Sequence, residues 1–542
     1  MTQALERAVA LHRSGDVAGA REAALRGVED EGEQVDLLHF LGMIDRAAGR
    51  IADARRHLER AAAAQPSGLH ITSLARLLAE GDPEALAELR SPAMSGPAGD
   101  ELLSLRSQAR IAAGRPREAA EDLAELSSRH PENRAVAVAA AAQWADAGEI
   151  APAEAIYRRL LAADRNDRDA LLGLVGLLEA SGRSDELAGV LASLRPFADP
   201  RAEALAAMFD HRAAGRFGQA RLALDSALGL LPQGTQAQMA GELADRAGDS
   251  DAAMASFAAM NAADAADTPQ WREGVDRYHA MLSQMLAEAA TGATIAPTSD
   301  GEPVPLFLLG FPRSGTTLLD TFLMGHPAFE VHEERPFLDA AAAHPDTASA
   351  RAAYHAALAR EARQPGRIQV DKYPLASART PLIHRMFPDA RFLFALRHPC
   401  DVVLSCFMTR FRLNWGVSAF LHLGDAVRTY DRVMTVWQRS RERWNLAVHE
   451  VRYEELIERP EDVLRGVAEF AGVPFDPDML KHQGTAAARG MISTPSHAQV
   501  VQPLYTRAAG RWHRYRDQLE PYFDQLEPWC RAYGYDLSPI GS

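Results

Sequence analysis

Pro305-Leu-Phe-Leu-Leu-Gly310-Phe-Pro-Arg-Ser-Gly315-Thr-Thr-Leu-Leu-Asp-Thr321 decides how the second half of the chain is read. The apolar run from Val304 to Leu309 is short and lacks helical spacing, which predicts a buried strand of a parallel sheet. Gly310 to Thr317 then turns the chain, and Leu318, Leu319, Phe322 and Leu323 are spaced as the apolar face of a helix. Strand, glycine-bounded loop and helix N-terminus bring backbone N–H groups and the helix dipole onto one anionic group. The stretch therefore predicts a phosphate cradle.

Gly310-x4-Gly315 has the spacing of a nucleotide P-loop, but Thr316 stands where such a loop carries Lys. Without that point charge the loop suits a single 5′-phosphate with a short group attached, rather than a β/γ pair. The run FPRSGTTLL, followed by HPAFEVHEE, resembles the 5′-phosphosulfate loop of sulfotransferases that use 3′-phosphoadenosine 5′-phosphosulfate (PAPS), most of all the tyrosylprotein branch. The similarity runs in order and in spacing from about residue 304 to 515.

The resemblance implies a cosubstrate site made of Arg313, Ser314, Gly315, Thr316 and Thr317, with Arg313 beside the sulfonyl end. It places the catalytic base on Glu334, with Glu333 and His332 as rivals. A carboxylate within reach of an acceptor hydroxyl can take its proton, and a phenol, with pKa about 10, gives it up more readily than a sugar alcohol. Asp371-Lys372-Tyr-Pro374 resembles the lysine motif that donates to the oxygen bridging phosphate and sulfur, which makes Lys372 the electrophilic catalyst. Lys occurs only at 372 and 481, so a compact ammonium here stands out in a chain that otherwise uses Arg.

Arg397-His-Pro-Cys-Asp-Val-Val-Leu-Ser405 resembles the clamp on the nucleotide 3′-phosphate, carried by Arg397 and Ser405, with Arg410 one place out of register for a further arginine. Asp401 reads as a helix N-cap. Tyr453 matches a nucleotide-contacting tyrosine. Ser496-His-Ala-Gln499-Val500 resembles the lid over the nucleotide, with Ser496 assisting Lys372 and with Arg511 in a terminal cation position that is more often Lys. Arg335-Pro336 departs from the family's Thr-Arg pair, which touches acceptor orientation. No acidic strand end pairs with the loop as in Mg²⁺-dependent phosphoryl transfer, so no metal is called for.

The first half of the chain repeats. Glycines in a common setting fall at 15, 49, 81, 114, 148, 182, 215 and 248, at gaps of 32 to 34 residues. That period marks tetratricopeptide (TPR) repeats, helix-turn-helix units that bury their apolar faces on their neighbours and form a curved array with a groove. The third repeat is the least regular, because Ser91 to Gly99 is rich in Pro and Gly. The expected architecture is an all-α TPR solenoid over 1–265, a capping helix and linker over 266–302, and an α/β P-loop-like domain with a mainly parallel sheet over 303–542.

A net charge of −15 without a basic run argues against nucleic acid as the main partner. The N-terminus lacks a signal-type apolar core and no stretch approaches membrane length, so a cytoplasmic chain is expected, with its three cysteines reduced and mostly buried. Expected partners are a peptide or protein in the TPR groove and a hydroxyl acceptor; a homodimer stays open. The favoured reaction is sulfuryl transfer from PAPS to a peptide tyrosine. A glycan, lipid or small-molecule hydroxyl is the alternative, followed by a nucleotide-dependent kinase or a non-catalytic TPR adaptor.

Overall fold

The computed structural model describes residues 2–90, 95–113, 115–180, 183–194, 200–293, 295, 302–364, 366–411, 413–482, 484–485 and 509–538. The chain divides into two compact units, Met1–Leu178 and Glu179–Ser542. No helix among the described residues is long and apolar enough to cross a membrane.

The first unit is all-helical, an array of TPR-type hairpins such as Gln3–Arg13 with Val17–Glu31 and Val35–Ala47 with Ile51–Ala64. Gly15, Gly49 and Gly148 sit at the hairpin turns with φ of 89°, 73° and 77°. A side chain is unfavourable in that left-handed region, which is why the period is legible as glycines. Gly114 and Gly182 lie outside the described residues. The irregular third hairpin has a second helix of only 6 residues, Pro83–Glu88.

The second unit opens with further hairpins, including Gln233–Ala247 with Ser250–Asp267, and then the long helix Trp271–Thr291. A five-stranded sheet comes next, made of β1 (Leu306–Gly310), β2 (Phe329–Glu333), β3 (Ile368–Lys372), β4 (Arg391–Leu396) and β5 (Ala447–Arg452). Its order is β2-β3-β1-β4-β5 and every pairing is parallel. Each strand thus leads into a crossover, and the strand ends that carry a site in such sheets all lie on one edge.

β1 is buried on both faces. Leu306 and Leu308 pack with Leu319, Phe322 and Leu323 from the helix Thr316–Met324, whereas Phe307 and Leu309 join Tyr354, Phe392 and Trp437 on the other face. The strand's period of two sends neighbouring residues to opposite layers. Trp437 stacks on Phe394 at 4.1 Å and Tyr430 packs against Phe311, so these rings are core.

The helices before the sheet are part of the same core. Phe257, Met260, Val275, Tyr278, Leu282 and Met285 belong to the apolar cluster that contains Phe311, Phe420 and Tyr430. Buried hydrogen bonds reinforce the joint: Asn261 donates to the Phe407 carbonyl at 3.0 Å and His279 meets Thr429 at 2.9 Å. Arg410, a spare nucleotide ligand by sequence, forks onto Asp264 at 2.8 and 3.0 Å and reaches Thr235 at 2.8 Å, so it serves this joint.

Candidate active site

The loop after β1 is held in a shape few sequences adopt. Arg313 has φ of 70° and Gly315 φ of 100°, both in the left-handed region. At Gly315 a Cβ would also lie 2.8 Å from the Tyr453 ring, and at Gly310 a Cβ would lie 2.6 Å from Ser314 Oγ. Both glycines of the motif are therefore required by close approach. The helix Thr316–Met324 starts at the second of them, so the amides of its first turn have no carbonyl four residues back. Ser314 Oγ is buried and finds no hydrogen-bond partner among the described residues. A buried hydroxyl left so at a helix N-terminus fits an oxyanion ligand.

Arg397 leaves the end of β4 nearly buried and donates to the Arg313 carbonyl at 3.1 Å, its guanidinium 4.9 Å above the Tyr453 ring. Arg313 Nε donates to Ser405 Oγ at 3.1 Å. The residues expected to hold the two phosphate ends, Arg313 to Thr317, Arg397, Ser405 and Tyr453, thus meet in one place although the chain separates them by up to 140 positions (453 − 313). Arg313 bonds toward Ser405, the side assigned from sequence to the 3′-phosphate.

Lys372, the last residue of β3, is wholly buried. Its ammonium lies 3.0 Å from Glu333 Oε1, 3.0 Å from Glu334 Oε1 and 3.4 Å from Asp320 Oδ2. Burial alone would lower its pKa, but Glu334, Asp320 and Glu333 outweigh that and hold it above the usual lysine range. Glu334 donates its backbone N–H to the Lys372 carbonyl at 2.7 Å and has φ of 49°, a bend just past β2 that leaves its side chain 36% exposed, against 14% for Glu333. His332 alternates to the opposite face from Glu333; its Nε2 meets Gln369 at 2.6 Å and its ring lies edge-on to Phe337. Of the three candidates for base, the two glutamates share the site with Lys372.

Asp320 was not singled out from sequence. The signal was present as an acidic residue inside an apolar helix, and it is fully buried. Asp371, the neighbour of Lys372, is also buried; Tyr354 donates to its Oδ2 at 2.7 Å, and burial lifts its pKa to about 7.

Two expectations change. Asp401 does not cap its helix: His398 accepts from the Cys400 N–H there, while Asp401 accepts from the Gly510 and Trp512 amides at 2.7 and 2.8 Å and so ties down the segment after the lid. Arg511, expected at the nucleotide, pairs with Asp245 at 2.8 Å, a half-buried carboxylate that Arg514 and Tyr515 also reach. Ser496, Gln499 and Val500 lie outside the described residues. The three cysteines are free and buried.

The model of a family described as "Sulfotransferase family" matches residues 305–361 and 334–477. An uncharacterized protein of Aquifex aeolicus is 27% identical over 288 residues, covering 47% of this chain and 36% of its own length. The chain thus spans about a third of that relative. Protein-tyrosine sulfotransferase 1 of Danio rerio is 24% identical over 271 residues, 44% of this chain and 74% of its own. Among solved structures, a sulfotransferase domain from the curacin biosynthetic pathway is 21% identical and covers 44% of this chain and 99% of its own, with a TM-score of 0.32. The C-terminal half of this chain carries a sulfotransferase-family domain, following TPR-type helical repeats.

Proposed function

We propose that the chain transfers a sulfuryl group from PAPS to an acceptor hydroxyl, with a protein tyrosine as the acceptor, by in-line displacement. The observation that carries this reading is the buried Lys372 ammonium, held between Glu333, Glu334 and Asp320 at the same sheet edge as the β1 loop and Arg397. The Ser314 hydroxyl, the first-turn amides and the Arg397–Tyr453 stack supply the donors that an anion with two phosphate ends needs.

In this reading Glu334 takes the acceptor's proton as its oxygen bonds to sulfur. The bond from sulfur to the bridging oxygen breaks, and its electron pair stays on the phosphate, where Lys372 offsets the charge. Lys372 and Glu334 start as a pair at 3.0 Å, so the ammonium's move to the leaving oxygen frees the carboxylate to act as base. Ser496, Gln499 and Val500 are assigned to the lid on the resemblance alone. No metal is assigned a role. The hairpins of the first unit are read as a surface for a protein partner, and buried free thiols suit a cytoplasmic setting.

Incubating the purified chain with isotopically labelled PAPS and a lysate tests the proposal: label should appear as sulfate on a hydroxyl-bearing product. Label transferred only from ATP with Mg²⁺ would move the chain to the kinase class.

A further inference from the structure

Trp415 is the only aromatic ring among the exposed large apolar side chains of the described residues, at 37% exposure. It is not a loose surface ring. Asn414 Oδ1 accepts from the Gly416 and Val417 amides at 2.8 and 3.2 Å, a side-chain-closed turn that fixes the backbone on either side of it. Tyr278, from the helix Trp271–Thr291, meets the Trp415 ring edge-on at 81° and 5.8 Å. The Arg379 guanidinium lies 5.6 Å from the ring centre and is itself held by Asp339 at 2.5 Å. Gly274 brings the helix backbone against the turn, since a Cβ there would lie 3.3 Å from Trp415 Cα.

Tyr373 joins this group to the chemistry. It comes directly after Lys372, whose carbonyl receives the Glu334 amide, and its hydroxyl lies in the fields of Asp339, Arg379 and Glu334. Burial, reinforced by Asp339, pushes the Tyr373 hydroxyl up to about 12, and burial likewise raises Tyr278, so both keep their protons at neutral pH. The Tyr278 side chain is nearly fully buried, yet its hydroxyl finds no hydrogen-bond partner among the described residues. A buried phenol left unsatisfied beside a half-exposed indole is costly in a free protein, and is relieved by a ring-bearing ligand with a polar edge.

We propose that Tyr278, Tyr373 and Trp415, backed by Arg379, form the wall that receives the ring of a phenolic acceptor, so that the helix Trp271–Thr291 helps to select the acceptor. The inference rests on the sulfuryl-transfer reading and adds the residues that select its phenolic acceptor. A phenol is favoured over a sugar because three aromatic side chains line the wall and because a carboxylate base is better matched to a phenolic proton than to an alcoholic one.

The test uses the full chain with PAPS and N-acetyl-L-tyrosinamide, methyl β-D-glucoside as the competing acceptor class, and 3′,5′-adenosine bisphosphate (PAP) as the nucleotide-site probe. Trp415→Ala should raise KM for the tyrosine amide about tenfold, the loss typical of an aromatic anchor, with PAP affinity unchanged. Tyr278→Phe, which keeps the packing and removes only the hydroxyl, should raise it several-fold. Wild-type KM in both variants overturns the proposal, as does a wild-type enzyme that sulfates the glucoside and not the tyrosine amide. Failure of the wild-type chain to bind PAP would instead remove the sulfuryl-transfer reading beneath it.

Discussion

Replacing Lys372 with Met keeps the unbranched stem as far as the ε position and deletes the ammonium, at a cost set by the groups around it. The ammonium is wholly buried between Glu333, Glu334 and Asp320, so its loss leaves three carboxylates facing one another in a site with little water. Removing one partner of a buried ion pair costs about 3–5 kcal/mol. Glu334 is 36% exposed and water screens part of its repulsion, which sets the expected loss at the lower end, about 3 kcal/mol. Folding raises the Lys372 pKa, so its stabilisation is complete below the unfolded value and is lost only as pH rises through the folded one; at pH 7.5 the full effect is present.

Urea unfolding monitored by tryptophan fluorescence reads mainly the second unit, because six of the seven Trp lie after residue 178. With a slope of about 3 kcal/mol/M, the midpoint of that transition should fall by about 1 M. The gap should narrow at pH 4, where the carboxylates take up protons, and adding Glu333→Gln and Glu334→Gln should restore much of the stability. Transfer activity should fall by about a hundredfold or more in Lys372→Met and should not return with the glutamine changes. An unchanged midpoint at pH 7.5 refutes the buried pairing, and unchanged activity refutes the role at the leaving oxygen.

Asp371→Asn removes an acid that burial holds near pKa 7 while keeping an acceptor for Tyr354. Because the folded value lies above the unfolded one, the Asp371 contribution to stability falls as pH rises from about 4 to 7, by about 4 kcal/mol for three units, so the variant should gain on the wild type by that much over this range; parallel pH–stability curves contradict it. Gly315→Ala puts a Cβ 2.8 Å from the Tyr453 ring at a φ of 100°, which strains the turn by about 1–3 kcal/mol and lifts Tyr453 from Arg397. PAP affinity measured by calorimetry should drop at least tenfold, whereas wild-type affinity would show that the turn does not need its glycine.

How much of this was legible in the sequence depends on where the information lies. The cradle is contiguous, and its two glycines are demanded by local geometry, so strand, turn and helix could all be read from Leu306 to Leu323. Arg397 and Ser405 are fixed by a strand running into a helix, and the hairpins announced themselves through turn glycines with positive φ. Asp320 was missed because a lone acid in an apolar helix acquires meaning only once Lys372 is beside it. The pairing of Arg511 with Asp245 could not be read, because the two lie 266 residues apart and nothing local marks it. The acceptor wall draws on Tyr278, Tyr373 to Arg379 and Trp415, three segments with no shared motif, so only the folded chain brings them together.

In the proposed site one adenosine nucleotide is gripped at both phosphate ends. Isothermal titration of the full chain with PAP, beside 5′-AMP and the Arg397→Ala variant, measures this most directly. The expected result is one site per chain, micromolar or tighter for PAP, at least tenfold weaker for 5′-AMP, and weakened in the variant to the level of 5′-AMP. Equal affinity for PAP and 5′-AMP, or indifference to the loss of Arg397, would contradict it.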